Sequence, residues 1–135
     1  MIKVYTDAAV NGNPGEVGLG ILLVKDGEQF PYKFPVEKKM DNHLAEFMAI
    51  SKALELLYAK QYQEELIFIH TDSKVAADAI LKNYTKRDDN RVVLQEIQRQ
   101  LKLFPQLFVK WIPESDNRGA DQLARQALQQ RLTQQ

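Results

Sequence analysis

Two short apolar segments that each end in Thr-Asp constrain the fold of this chain most strongly. Residues 2–7 read as one strand and residues 66–72 as another, with a helix-like segment between them. A strand, a helix and a second strand form a right-handed crossover, which places the two strands parallel in one sheet. We therefore expect Asp7 and Asp72 at the same edge of the sheet, where a cation would relieve their repulsion.

The segments around these strands predict a mixed sheet flanked by helices. Turn residues at 11–15 and the Asp-Gly pair at 26–27 divide the first part of the chain into three antiparallel strands. Strands are predicted over residues 2–7, 17–24, 29–36, 66–70 and 107–112, and helices over 43–60, 74–81, 92–103 and from 116 or 117 to 132. The order βββαβααβα predicts an α/β fold with a five-stranded sheet of order 3-2-1-4-5.

Length and composition predict one globular domain over residues 1–135. The chain is 44% hydrophobic and 27% charged, as in soluble proteins. We expect no contact with a membrane, because no apolar run approaches the ~20 residues of a spanning helix. The absence of cysteine fits a reducing cytoplasm, and we expect a cytoplasmic monomer. A formal charge of zero argues against strong non-specific binding of nucleic acid.

Two further acidic residues lie where the predicted layout brings chain ends together. Glu46 is in the first turns of the crossover helix among apolar residues, where a carboxylate is costly unless it is paired or binds a metal. Asp121 has the corresponding place on the last helix. For Glu46 and Asp121 the simpler alternative is a charge that complements the helix dipole. For each Thr-Asp pair taken alone, the simpler alternative is a turn that ends the strand.

Three or four carboxylates in one cleft would not all stay ionised without a counter-ion. A hard divalent cation with oxygen ligands resolves the repulsion, most simply Mg²⁺, and Mn²⁺ could replace it. Two such ions about 4 Å apart can activate a water and stabilise the leaving oxygen in phosphodiester cleavage. The spacing thus predicts a metal-dependent phosphoryl-transfer site, and it leaves the substrate open.

Four motifs together resemble the type I ribonuclease H family. They are TDAAVNGNPGEVGLGI, NHLAEFMAI, IHTDSKVA and NRGADQLAR, and they carry the family's order Asp, Glu, Asp, Asp along essentially the whole domain. The resemblance implies a single ribonuclease H-like domain that hydrolyses the RNA strand of RNA/DNA hybrids, leaving 5′-phosphate and 3′-hydroxyl ends. It also implies that the metal ligands and catalytic residues are Asp7, Glu46, Asp72 and Asp121.

The resemblance further implies contacts with the hybrid. Asn13 and Asn42 would approach the minor groove, where 2′-hydroxyls distinguish RNA from DNA. His43 follows Asn42 where many members have a second asparagine, so it could touch a 2′-hydroxyl. Lys74 stands where glutamine is common and could contact a phosphate as a point charge.

The chain departs from the best-studied bacterial members in ways that favour a minimal form. The loop over residues 111–116 lacks their mobile histidine, and residues 82–91 are too short for their basic protrusion. We also expect no separate hybrid-binding domain. These departures keep an alternative open, in which the chain is a ribonuclease H-like nucleic-acid-binding module with weak or lost catalysis.

Overall fold

Five strands form one mixed sheet in the order β3-β2-β1-β4-β5. A computed structural model describes residues 1–134. The strands are β1 Ile2–Gly12, β2 Gly15–Lys25, β3 Glu28–Met40, β4 Ile67–Thr71 and β5 Leu107–Trp111. β1 lies in the centre, antiparallel to β2 and parallel to β4, and β5 continues the parallel half. The predicted fold class and strand order are confirmed.

Helices lie on both sides of this sheet. They are α1 Asn42–Ala59, α2 Lys74–Lys82, α3 Asp88–Leu101 and α4 Arg118–Thr133, and a short 3-10 turn spans Glu114–Asp116. The first three helices share one core with the inward side chains of β1, β2 and β4. The last helix, α4, packs across β1, β2 and β3. Within residues 1–134 no helix has the length and apolar character needed to cross a bilayer.

The first strand is longer than the sequence predicts. It does not end at Asp7, because β2 continues to pair with it beyond that residue, from Asp7 opposite Gly20 to Gly12 opposite Gly15. Its parallel pairing with β4 does stop here, at Thr6 opposite Thr71. Asp7 is therefore the first residue of β1 beyond the parallel ladder.

The third helix also begins earlier than predicted, at Asp88 and not at residue 92. Two acidic residues, Asp88 and Asp89, occupy its first turn, where carboxylates stabilise the partial positive charge of a helix N-terminus. Asn90 in the same turn is buried. Residues 88–91, which the sequence prediction leaves between two helices, thus form the first turn of α3.

Glycines in β2 let α4 lie directly on the sheet. A Cβ atom at Gly18 would be 2.1 Å from the backbone nitrogen of Leu128, and one at Gly20 would be 2.3 Å from the carbonyl oxygen of Ala120. Side chains of ordinary residues cannot fit at such distances. The close packing fixes the position of the helix that carries Asp121.

Candidate active site

Three of the four predicted carboxylates meet at the end of the parallel ladder. Asp7 follows the ladder on β1, Asp72 directly follows β4, and Glu46 reaches the same place from α1. One oxygen from each of the three lies within 4.8 Å of the others. The sheet topology thus brings together residues that are far apart in sequence.

The N-terminus of α1 holds Glu46 at this place. Asp41 caps the helix, since its carboxylate accepts a hydrogen bond of 2.8 Å from the backbone nitrogen of Leu44. The same carboxylate forms an ion pair with Arg87, with an Nη2 to Oδ2 distance of 2.8 Å. Asp41 therefore ties the start of α1 to the segment that leads into α3.

Two side chains hold Asp72. The amide nitrogen of Asn117 donates to the carbonyl oxygen of Thr6 at 2.8 Å and to Oδ2 of Asp72 at 3.3 Å. The indole nitrogen of Trp111 donates to the backbone oxygen of Asp72 at 3.2 Å. Asn117 thereby links β1, at the end of its parallel ladder, to the residue that follows β4, at the point where the carboxylates gather.

Sequence reasoning missed Asn117 as a member of the site. An asparagine directly before a helix indicates an N-cap, and Asn117 does occupy that position of α4, but its side chain makes no capping hydrogen bond. The side chain is instead buried and points into the sheet. Only the contacts with Thr6 and Asp72 reveal its role, and these residues are too distant in sequence to suggest it.

The carboxylates strongly perturb one another. Burial, followed by the charges of Asp72 and Asp121, raises the pKa of Asp7 to about 7. Burial also raises the pKa of Glu46 well above its ordinary value, with the charges of Asp7 and Asp72 adding to the effect. One carboxylate oxygen of Glu46, Oε1, is buried without a hydrogen-bond donor.

These features fit a hard divalent cation. A cation at the centre of Asp7, Glu46 and Asp72 would give the buried Glu46 oxygen the positive partner that it lacks. It would also offset the repulsion that raises the two pKa values. The donor set consists of oxygen alone, which is the preference of Mg²⁺ and Mn²⁺.

Asp121 lies beside this group and does not join it. It is in the first turn of α4, and both of its carboxylate oxygens accept from Nε of Arg125 at 3.1 Å. It is near enough for its charge to raise the pKa of Asp7. The structure therefore brings three of the predicted ligands within reach of one ion and holds the fourth close by, paired with an arginine.

The four predicted substrate contacts all lie on the surface. Asn13 is exposed in the turn between β1 and β2, Asn42 and His43 are exposed in the first turn of α1, and Lys74 is exposed at the start of α2. An open groove of about 950 Å³ runs from Asn13 past the start of α1 to the start of α3. Of the four residues only Asn13 lines this groove, and it is the exposure of all four side chains that makes them accessible to a large ligand.

Comparisons with known proteins agree with this architecture. The RNase H family model matches residues 1–129. The Enterococcus faecalis protein named "Putative hydrolase EbsB" is 41% identical over 129 residues, covering 96% of this chain and 95% of that protein. A ribonuclease H of Thiobacillus denitrificans is 30% identical over 145 residues, covering 96% of this chain and 95% of that enzyme.

A solved structure has the same fold. The crystal structure of LC11-RNase H1 in complex with RNA/DNA hybrid matches with a TM-score of 0.88 at 24% identity, covering 98% of this chain and 99% of that one. The family model and the two sequence relatives each extend over nearly the whole chain. The chain therefore belongs to the ribonuclease H family of hydrolases.

Proposed function

We propose that this protein is a metal-dependent endonuclease that hydrolyses the RNA strand of RNA/DNA hybrids and leaves 5′-phosphate and 3′-hydroxyl ends. The observation that carries the proposal is the convergence of Asp7, Glu46 and Asp72 within 4.8 Å of one another. The family supports the substrate, and LC11-RNase H1, which has the same fold, is solved with such a hybrid.

Asp7, Glu46 and Asp72 would hold Mg²⁺, with Mn²⁺ as a substitute, and Asp121 would contribute to a two-ion site from the edge of the group. Bound cations of this kind stabilise the negative charge that develops during phosphodiester hydrolysis. Burial of Asp7 and Glu46 lowers the local dielectric and so strengthens their attraction for a cation. Asn117 keeps the Asp72 carboxylate oriented toward the other two.

The exposed residues around the site would position the hybrid. Asn13 and Asn42 offer amide groups that can both donate to and accept from a 2′-hydroxyl, which is the group that distinguishes RNA from DNA. His43 is next to Asn42 and is equally exposed, and Lys74 can pair with a phosphate. Because the overall charge is zero, we expect such local contacts to supply most of the affinity for the hybrid.

Cleavage of a labelled hybrid tests this proposal. We expect the parent to cut the RNA strand in Mg²⁺ and to leave single-stranded RNA and duplex DNA intact, with Asp7→Asn and Asp72→Asn inactive. Asp26→Asn is the matched control, because Asp26 is an exposed acidic residue in the turn between β2 and β3. The assignment is wrong if the parent cuts no hybrid or if the Asp7 and Asp72 variants cut as well as the control.

A second function, hybrid binding without efficient hydrolysis, is favoured by the pairing of Asp121 with Arg125. Arg125→Ala separates the two functions. If the pairing withholds Asp121 from the site, the variant should cut faster than the parent. If the protein only binds hybrids, neither form should cut, although both should retard a labelled hybrid in a gel.

A further inference from the structure

One face of the parallel half of the sheet carries aromatic and basic side chains. Its six residues form two rows across β1, β4 and β5, and we call this surface the open face. The first row is Lys3, Phe68 and Phe108, and the second is Tyr5, His70 and Lys110. Alternation along the strands turns these side chains away from the core that contains Ile67 and Ile69.

The helices leave this surface uncovered within residues 1–134. The helices α1, α2 and α3 pack on the opposite side of the sheet, and α4, which is on the same side, lies across β1, β2 and β3. Phe108 is 53% exposed as a result. An aromatic ring exposed to that extent leaves about half of its apolar surface in water, where a ligand can cover it.

The rings on the open face are ordered by contacts with one another. Tyr5 and His70 stack with centroids 4.6 Å apart, and Phe68 and Phe108 stack at 5.8 Å. The ammonium group of Lys110 lies 4.6 Å from the centroid of Phe68. The aromatic surface is thus pre-arranged, which lowers the entropy cost of binding.

The open face is also positively charged. The ion pairs found in the described part of the chain involve neither Lys3 nor Lys110. Both lysines are close to His70, whose pKa is lowered first by burial and then by their charges. Two unpaired ammonium groups beside aromatic rings complement an anion that also carries flat apolar groups.

The open face begins next to the proposed active site. Tyr5 is two residues before Asp7 on the same side of β1, and His70 is two residues before Asp72. Two residues of a strand span about 7 Å, which is close to the length of one extended nucleotide. A strand held at the carboxylates could therefore continue directly onto these rings.

We propose that the open face binds single-stranded RNA that continues from the cleaved strand beyond the end of the hybrid. Single-stranded nucleic acids are bound by aromatic side chains that stack with bases, combined with basic groups that pair with phosphates. The choice of RNA rests on the proposed function, because the RNA strand is the one held at Asp7 and Asp72. Binding itself requires no hydrolysis.

Binding is measured with a fluorescein-labelled oligouridine in EDTA at low ionic strength, by fluorescence anisotropy. We expect the double variant Phe108→Ala/Lys110→Ala to bind at least about fivefold more weakly than the parent, as for the loss of one stacked base. The matched control is Tyr58→Ala/Lys102→Ala, which removes an exposed aromatic and an exposed lysine from the opposite layer. Lys110→Glu keeps every aromatic side chain of the open face while it reverses one charge, and it should also weaken binding.

Cleavage assays compare a blunt hybrid with hybrids that carry a single-stranded RNA extension at the 5′ or the 3′ end. The parent should cut one of the extended hybrids at a lower KM than the blunt hybrid. Phe108→Ala/Lys110→Ala should lose this preference and should cut the blunt hybrid as the parent does. If no hybrid is cut, the hydrolase assignment fails, whereas the anisotropy measurement still decides whether the open face binds RNA.

Three results would overturn the inference. In the first, the parent shows no binding of oligouridine, or the double variant binds as tightly as the parent. In the second, a hybrid with a single-stranded DNA extension is preferred over the blunt hybrid as strongly as one with an RNA extension, which would remove the assignment to the RNA strand. In the third, the parent self-associates in sedimentation and the double variant does not, which would make the open face an interface between two copies of the chain.

Discussion

Asp7 has only 5% of its surface exposed, and its nearest charged neighbours are other carboxylates. Such a residue destabilises the free protein whenever it is ionised, because burial and like charges both disfavour the carboxylate form. A bound cation reverses both effects. Residues that contribute to function in this way are expected to reduce stability in the absence of the ligand.

We therefore expect Asp7→Asn to stabilise the metal-free protein. The pKa of Asp7 is raised from 3.8 to about 7, so the stability linked to its protonated form is present at acidic pH and is lost as the pH rises through about 7. The advantage of the variant should be small near pH 4 and on the order of 2 kcal/mol near pH 8. Urea unfolding in EDTA at the two pH values measures it, and a variant less stable than the parent near pH 8 would contradict the expectation.

Asn117 should act on catalysis through Asp72. In Asn117→Ala the carbonyl oxygen of Thr6 loses its buried donor, at a cost of about 1–3 kcal/mol. The Asp72 carboxylate loses its orienting partner, and we expect kcat to fall about tenfold or more with a smaller change in KM.

Asn90→Ala is the matched control for this substitution, because Asn90 is buried to the same extent and is located in α3. It should lower the free energy of unfolding without lowering kcat per folded molecule. If both variants lose kcat equally, Asn117 has only a structural role.

At the scale of elements, the contact between β2 and α4 determines where Asp121 lies. Gly20 faces the backbone of α4, and a Cβ atom there would be 2.3 Å from the Ala120 oxygen and 2.4 Å from the Ala124 nitrogen. Backbone atoms cannot rotate away as a side chain can. The helix itself would have to shift, and Asp121 would shift with it.

Gly20→Ala should accordingly be strongly destabilising, by about 3 kcal/mol or more. Gly27→Ala is the comparison: it meets no atom within 4 Å and only forces alanine into a φ of +77°, which costs about 1–2 kcal/mol. Thermal unfolding of the two variants measures the difference. If the two variants lose the same amount of thermal stability, α4 adapts to the methyl group added at position 20 at little cost.

The order and type of the elements followed from the sequence, but some of their limits did not. Alternating apolar residues and turn signals identify a strand, whereas its end depends on how far its neighbour continues to pair. Thr6-Asp7 marks the end of pairing with β4, yet β2 carries β1 on to Gly12. In the same way, α3 begins at Asp88, before the predicted start at residue 92. A carboxylate in the first turn stabilises the helix N-terminus, although such a polar residue is equally common outside helices.

At the scale of the whole molecule, the three carboxylates would couple binding of the proposed metal to the stability of the entire fold. They come from β1, from α1 and from the residue after β4, so the ligand group exists only in the folded chain. A ligand that binds only the folded state stabilises it by an amount proportional to the logarithm of one plus the ratio of its concentration to Kd. Added Mg²⁺ should therefore stabilise the complete molecule.

We expect saturating Mg²⁺ to raise the free energy of unfolding of the parent by about 1–3 kcal/mol near pH 8. Asp7→Asn and Asp72→Asn should show little or no gain. Sodium chloride at matched ionic strength is the control for screening. A gain of similar size in the parent and both variants would mean that the ion binds elsewhere.

The acidic residues of the site could be predicted from the sequence, whereas the orientation of the side chains at the start of α4 could not. Two Thr-Asp strand ends are visible in the chain, and Glu46 is conspicuous among its apolar neighbours, so their meeting follows from the topology. The pairing of Asp121 with Arg125 and the inward turn of Asn117 depend on side-chain orientation at the start of α4. Local sequence does not determine that orientation, because α4 is positioned by glycines about one hundred residues earlier in the chain.

The parallel pairing of β1 with β4 has a consequence for the chain as it leaves the ribosome. Asp7 emerges early, but its partner Asp72 follows 65 residues later, and the two meet only when β4 has docked beside β1. A nascent chain that lacks β4 therefore lacks one of the three carboxylates that would hold the ion, at any concentration of magnesium. The ability to hold the proposed ion would thus be acquired in one step, when the parallel half of the sheet joins the antiparallel half.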